Sequence, residues 1–175
     1  LTEVVVTDPE QAQLLLYRQN GIDGLSMAET FPGLLGVTDI AAADLDADNV
    51  LDLVLLSAKE GVVATSHFEG GRITFPETIM KKPEGSELAA VEILTSDEKV
   101  QVVVALTSGT GSGMKLAFQR LVRSDTGEWK QENEEQKIEL NGAVGSRGVR
   151  FVRMDVNSDG KMDLLSVPTG TSKSG

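Results

Sequence analysis

Asp44-Leu45-Asp46-Ala47-Asp48-Asn49-Val50-Leu51-Asp52-Leu53 sets four carboxylates at positions 1, 3, 5 and 9 of a short loop, and the apolar run Leu53-Val54-Leu55-Leu56 follows. The spacing returns as Asp155-Val156-Asn157-Ser158-Asp159-Gly160-Lys161-Met162-Asp163, with Leu164-Leu165 behind it. Alternate acidic residues in a tight loop can turn their oxygens toward one point. Uncompensated, carboxylates that close repel one another. Hard dications such as Ca2+ take about six to eight oxygen ligands, mostly carboxylates and carbonyls. Mg2+ suits such a loop less well, because it holds its waters and rarely accepts an all-protein cage. Two copies of the spacing in one chain of 175 residues point to two cation loops.

The flanks exclude the helical calcium motifs. An EF-hand needs a bidentate Glu at position 12; that position is Leu55 in the first copy and Ser166 in the second. Ile40-Ala41-Ala42-Ala43 leads in, and a β-rich run leads out. Dockerin-type loops need a following helix and a close second copy. Here the loops start 111 residues apart.

Outward from the first loop, the chain reads as four short strands joined by Gly-containing turns: 36–43, 51–57, 62–68 and 72–80. The order repeats at 88–94, 100–107, 114–123 and 129–140, the last interrupted by a polar run at 131–137. In this copy Thr95-Ser96-Asp97-Glu98-Lys99 stands where the acidic loop belongs. Its acids are adjacent, not alternate, and Lys99 brings its own cation, so this unit is read as metal-free. Residues 13–33 read as strands three and four of an earlier unit, and 148–167 as strands one and two of a later one.

Asp-x-Asp-x-Asp-[Gly/Asn]-x-x-Asp-Leu between a small-apolar strand and an aliphatic strand resembles the FG-GAP/VCBS repeat of integrin α-subunits and many exported bacterial proteins. In that family each repeat is one four-stranded blade of a β-propeller, and the loop between its first two strands binds calcium. The resemblance implies an all-β fold of antiparallel blades. It implies that Asp44, Asp46, Asp48 and Asp52 ligate by side chain and Val50 by its carbonyl. In the second copy Asp155, Asn157, Asp159 and Asp163 take the side-chain roles and Lys161 the carbonyl. Asn49 departs from the family's Gly at position 6, but Asn accepts the left-handed conformation better than most residues. Asn157 replaces an Asp, which leaves the second loop one charge short. The first site is therefore expected to bind more tightly.

On this reading residues 1–175 form a single propeller-type domain or a fragment of one. It has a partial blade at 13–33, a calcium blade at 36–80, a metal-free blade at 88–140 and a partial calcium blade at 148–167. About three blade-equivalents are too few for a usual ring of about four to eight blades. Pairing with further blades or with a second copy is the expected remedy.

Composition agrees with a globular β protein: 40% of residues are hydrophobic and only 4% aromatic, so the core has to be aliphatic. The net charge is −11, and seven of the negative charges lie in the two loops. Two bound dications would leave −7, which still argues against nucleic-acid binding. Without cysteine there is no disulfide, thiolate zinc site or cysteine nucleophile. No apolar run approaches the length of a membrane span, so no membrane insertion is expected. Leu1 in place of an initiator Met fits a processed or trimmed N-terminus. Calcium loops suit the millimolar calcium outside the cytosol, so an extracellular, periplasmic or cell-surface location is expected.

Other motifs read as structural. Gly109-Thr110-Gly111-Ser112-Gly113-Met114-Lys115 lacks the Gly-Lys-Ser/Thr order of a phosphate loop and reads as a hairpin between strands. His67 is the single histidine and reads as a surface or strand-end residue. Trp129 and Tyr17 read as packing residues. The acidic run at 132–135 reads as a solvated edge or hairpin. With no catalytic constellation found, the function expected is a calcium-stabilised adhesion or binding scaffold for a protein or glycan partner. The alternative is the propeller domain of a polysaccharide lyase or hydrolase.

Overall fold

A computed structural model describes residues 3–22, 24–96, 99–109, 114–124, 126–132, 136–139 and 148–169. The described chain is all-β, in several antiparallel sheets, none of them closed. It divides into two compact units, Leu1–Lys81 and Lys82–Gly175. Each unit contains one of the acidic loops.

In the first unit β1 (Glu3–Asp8), β2 (Gln13–Arg18) and β3 (Glu29–Pro32) form a sheet in that order. β1 was not anticipated from the sequence. Its turn into β2 is fixed by Asp8, whose Oδ1 accepts the amides of Glu10 and Gln11 at 3.2 and 3.1 Å. The second sheet is β4 (Val37–Ala43), β5 (Asp52–Ser57), β6 (Val62–Ser66) and, after β7 (Phe68–Glu69) and β8 (Arg72–Ile73), β9 (Glu77–Lys81). Its order is β4-β5-β6-β9, a four-stranded antiparallel meander. The expected fourth strand at 72–80 is thus corrected. Residues 72–73 instead close a separate small hairpin, pairing Phe68 with Ile73 and Glu69 with Arg72. Gly70 and Gly71 both take positive φ, 56° and 81°, which permits so tight a reversal. Strand three accordingly stops at Ser66, short of the expected Phe68.

β5 is buried at every residue. A strand covered on both faces reads as a continuous apolar run, not an alternating one, and that is the character of Leu53-Val54-Leu55-Leu56. One of its faces packs Leu53 and Leu55 with Leu14, Leu16, Phe31, Val37 and Ala64. Burial of each such large aliphatic side chain contributes about 1.5–3 kcal/mol. This core joins the two sheets of the unit. Gly36 leads into β4 with φ 66°, and a Cβ there would lie 2.5 Å from Lys59 Cβ. Conformation and space both require glycine at that turn.

The second unit repeats the meander with β10 (Ser86–Ser96), β11 (Lys99–Ser108), β12 (Lys115–Arg123) and β13 (Trp129–Gln131). β14 (Gln136–Glu139) also pairs with β12. β13 covers the C-terminal end of β12 and β14 the N-terminal end, so one edge position is shared by two short strands. This is the interrupted fourth strand expected from the polar run. Both meanders carry a register shift early in their first strand, between Val37 and Asp39 and between Leu88 and Ala90. β15 (Gly148–Met154) and β16 (Asp163–Thr169) form a two-stranded sheet around the second loop. Val149 joins the core of Ala90, Ala105 and Leu116, and Phe151 lies against Phe118 with ring centroids 5.8 Å apart. The adjacent acids Asp97 and Glu98, the glycine-rich stretch at 110–113 and, of the later acidic run, Glu134 and Glu135 lie outside the described residues. No helix among the described residues is long and apolar enough to cross a membrane.

Candidate metal centre

Each acidic loop joins two antiparallel neighbours, β4 to β5 and β15 to β16. Neither the sheet nor the core dictates the path between them; the loop's own carboxylates do. Asp44 Oδ1 accepts the amides of Asp46, Ala47 and Asp48 at 3.3, 2.7 and 3.2 Å, and its Oδ2 accepts that of Asn49 at 2.9 Å. Asp48 Oδ1 accepts the Val50 amide at 2.7 Å. Asp52 Oδ2 reaches back to the Leu45 amide at 3.1 Å and closes the neck.

The second loop repeats four of these bonds at the same offsets. Asp155 accepts the amides of Asp159 and Gly160 at 3.2 and 2.8 Å. Asp159 accepts the Lys161 amide at 2.8 Å, and Asp163 the Val156 amide at 3.0 Å. Both loops turn left-handed at their fourth and sixth residues: Ala47 and Asn49 at φ 66°, Ser158 at 60° and Gly160 at 83°. The sixth position was legible in the sequence as Asn or Gly; the fourth was not. Left-handed geometry costs an L-residue with a Cβ about 1–2 kcal/mol, and glycine's extra chain entropy returns about 0.5–1 kcal/mol of that. Ala47→Gly is expected to stabilise the fold by about 0.5–1 kcal/mol. Urea denaturation checks this, and a destabilised variant would contradict the assigned strain.

The carboxylates of the first loop form two overlapping groups. Oxygens of Asp44, Asp46 and Asp48 lie within 4.8 Å of one another, as do ligand atoms of Asp46, Asp52 and His67. Oxygens bound to Ca2+ at about 2.3–2.6 Å stand at most about 5 Å apart across the ion, so the first group fits a calcium-sized shell. These acidic clusters can hold a metal ion. Burial pushes the Asp44 carboxyl up, but the four loop amides outweigh it and hold it below its ordinary value. Asp159 is also held low, first by the Lys161 amide and then by the Asn157 side chain. Both carboxylates are therefore poised in the charged form that a cation needs.

The loops differ in two respects. Asp44 also accepts the amides of Asp46 and Ala47, bonds with no counterpart at Asp155 among the described residues, and the third residue is Asp46 in one loop and Asn157 in the other. Asn157 Nδ2 donates to Asp159 Oδ2 at 3.0 Å, and Asn157 Oδ1 accepts the Asp159 amide at 3.0 Å. At the matching place in the first loop two carboxylates, Asp46 and Asp48, face one another, and no such bond can form. The first loop thus holds more unrelieved repulsion. Val50 and Lys161 occupy the same turn position, each with its amide held by the preceding Asp.

His67 was read from the sequence as a surface or strand-end residue. It does lie between β6 and β7, but its ring turns to the loop. Nδ1 stands 3.1 Å from Asp52 Oδ1 and 3.8 Å from Asp46 Oδ2. This buried nitrogen makes no hydrogen bond, although both carboxylates lie beside it. Nothing at the level of spacing pairs His67 with the loop; the fold of β5 against β6 does. Asp52 itself is only 3% exposed and also accepts the Phe68 amide at 3.3 Å.

No family model, curated protein or solved structure matches this chain. A functional reading accordingly rests on the loop residues and on the geometry above.

Proposed function

We propose that the chain is a calcium-stabilised repeat module of the FG-GAP/VCBS type, with its sheets serving as propeller blades. It acts outside the cytosol as a scaffold for a protein or glycan partner. The observation that carries this reading is the repetition of four hydrogen bonds at identical offsets in two loops far apart in sequence. A solvated acidic turn has no reason to recur with these four bonds, the same two left-handed residues and the same place between antiparallel strands.

Calcium is favoured over softer metals because the tight cluster of Asp44, Asp46 and Asp48 offers oxygen alone, the donor set of hard cations. A bound dication would cancel the carboxylate repulsion and pin the turn between neighbouring strands. Asp44 and Asp155 organise the loop amides, and Asp52 and Asp163 close the necks. The metal's role is structural, since the ligands of each site come from one short loop.

Calorimetric titration with Ca2+ tests the reading. Two binding events are expected, the tighter at the first loop, because ligand charge tunes affinity in such loops. Asp46→Ala removes the tighter event and Asn157→Ala weakens the other. An absence of heat and of binding at millimolar Ca2+ would refute the proposal. Retention of the tighter event in Asp46→Ala would reverse the ranking.

A further inference from the structure

A cavity of about 480 Å³ opens within the first unit, lined by residues of both its sheets together with Asn49, Val50 and Leu51 of the loop and Phe68 and Ile73 of the small hairpin. Its volume falls in the range of small-molecule sites, about 300–1,000 Å³. Ala42 pairs with Leu53, and Leu53 with Ser66. Residues directly opposite one another across antiparallel strands share a face. The three therefore form a row across β4, β5 and β6, and all three line the cavity. Val5 and Leu16 face them from the first sheet.

Ser66 sets the chemistry. It is fully buried, at 0% exposure, and its hydroxyl has no hydrogen-bond partner. Buried hydroxyls are nearly always bonded, and an exception calls for an explanation. We propose that this cavity binds a small, neutral, mostly apolar molecule of one or two rings whose single hydroxyl or carbonyl oxygen bonds Ser66. Neutrality follows from the lining: among the described residues no Lys or Arg lines the cavity, so an anionic head would lose its water without gaining a fixed cation. Leu16, Leu53, Phe68 and Ile73 supply the apolar walls.

The test is an amide-resolved NMR titration of the whole chain with 2-naphthol, at fixed millimolar Ca2+, beside 2-naphthoate. Saturable shifts centred on Leu53, Ser66 and Phe68 are expected with 2-naphthol and not with 2-naphthoate. Ser66→Ala removes an unpartnered hydroxyl, so it is expected to fold normally while weakening 2-naphthol about fivefold to tenfold, the worth of one neutral hydrogen bond. Ala42 is exposed at the cavity, so Ala42→Trp fills the mouth without burdening the core and is expected to abolish the shifts. Absent or scattered shifts, equal response to 2-naphthoate, or unchanged affinity in Ser66→Ala would each overturn the proposal. Calorimetry reads calcium binding directly and the titration reads the cavity at fixed Ca2+, so a failure of one is separable from a failure of the other.

Discussion

Stripping Ca2+ with excess EDTA is expected to lower the melting temperature of each unit by about 10–20 °C relative to protein in millimolar Ca2+. A ligand that binds only the folded state stabilises it by about 2.7 kcal/mol at one hundred times its Kd. Each compact unit contains one loop, so the transitions of both units shift. The first is expected to move more, because Asp46 and Asp48 face each other where Asn157 and Asp159 are hydrogen-bonded. Mg2+ at the same concentration is expected to restore less. Differential scanning calorimetry with each cation gives the answer, and equal melting with and without Ca2+ would remove the structural role of the metal.

Asp52→Ala is expected to cost about 2–4 kcal/mol even in EDTA, before any metal is considered. The carboxylate is almost fully buried and accepts two backbone amides, those of Leu45 and Phe68. Alanine leaves both donors without a partner in a dry place, each at a cost of about 1–3 kcal/mol. It also leaves His67 without the carboxylate oxygen at 3.1 Å. Asp163→Ala is expected to cost less, since Asp163 is only half-buried and accepts one described amide, that of Val156. Asp52→Asn keeps one of the two acceptor oxygens and turns an NH2 toward the other amide, so it recovers only part of the EDTA stability while losing most of the calcium response. Urea denaturation in EDTA and in Ca2+ separates the two effects. An Asp52→Ala variant as stable as the parent in EDTA would show that the neck of the loop is held by something else.

Much of the meander was legible because strand signals are local. Leu53-Val54-Leu55-Leu56 announces a doubly covered strand, and Gly61 marks the turn that follows it. The polar run after Trp129 foretold a broken edge strand, now seen as β13 and β14 sharing β12. The misses are equally physical. β1 contains Val4-Val5-Val6 but no loop motif to frame it, and only pairing with β2 defines it. The β7–β8 hairpin rests on two adjacent glycines whose φ values decide whether the chain reverses at once or runs on. Propensity alone runs 72–80 together as one strand, because it does not record where a partner strand ends.

The candidate site divides in the same way. Alternation of Asp in both loops is a property of the sequence, and so is the choice of Asn or Gly at the sixth position, because both reflect what a short turn demands of its own backbone. Left-handed Ala47 contradicts local preference and is held there by the amides that converge on Asp44. Tertiary structure alone made Asp52 a buried clamp, brought His67 to the loop and set Ser66 behind a cavity between two sheets. Each of these depends on which residues of distant strands share a face, a matter of register. The side chains along one strand state only their own alternation, and packing against a partner selects the register that buries the apolar set.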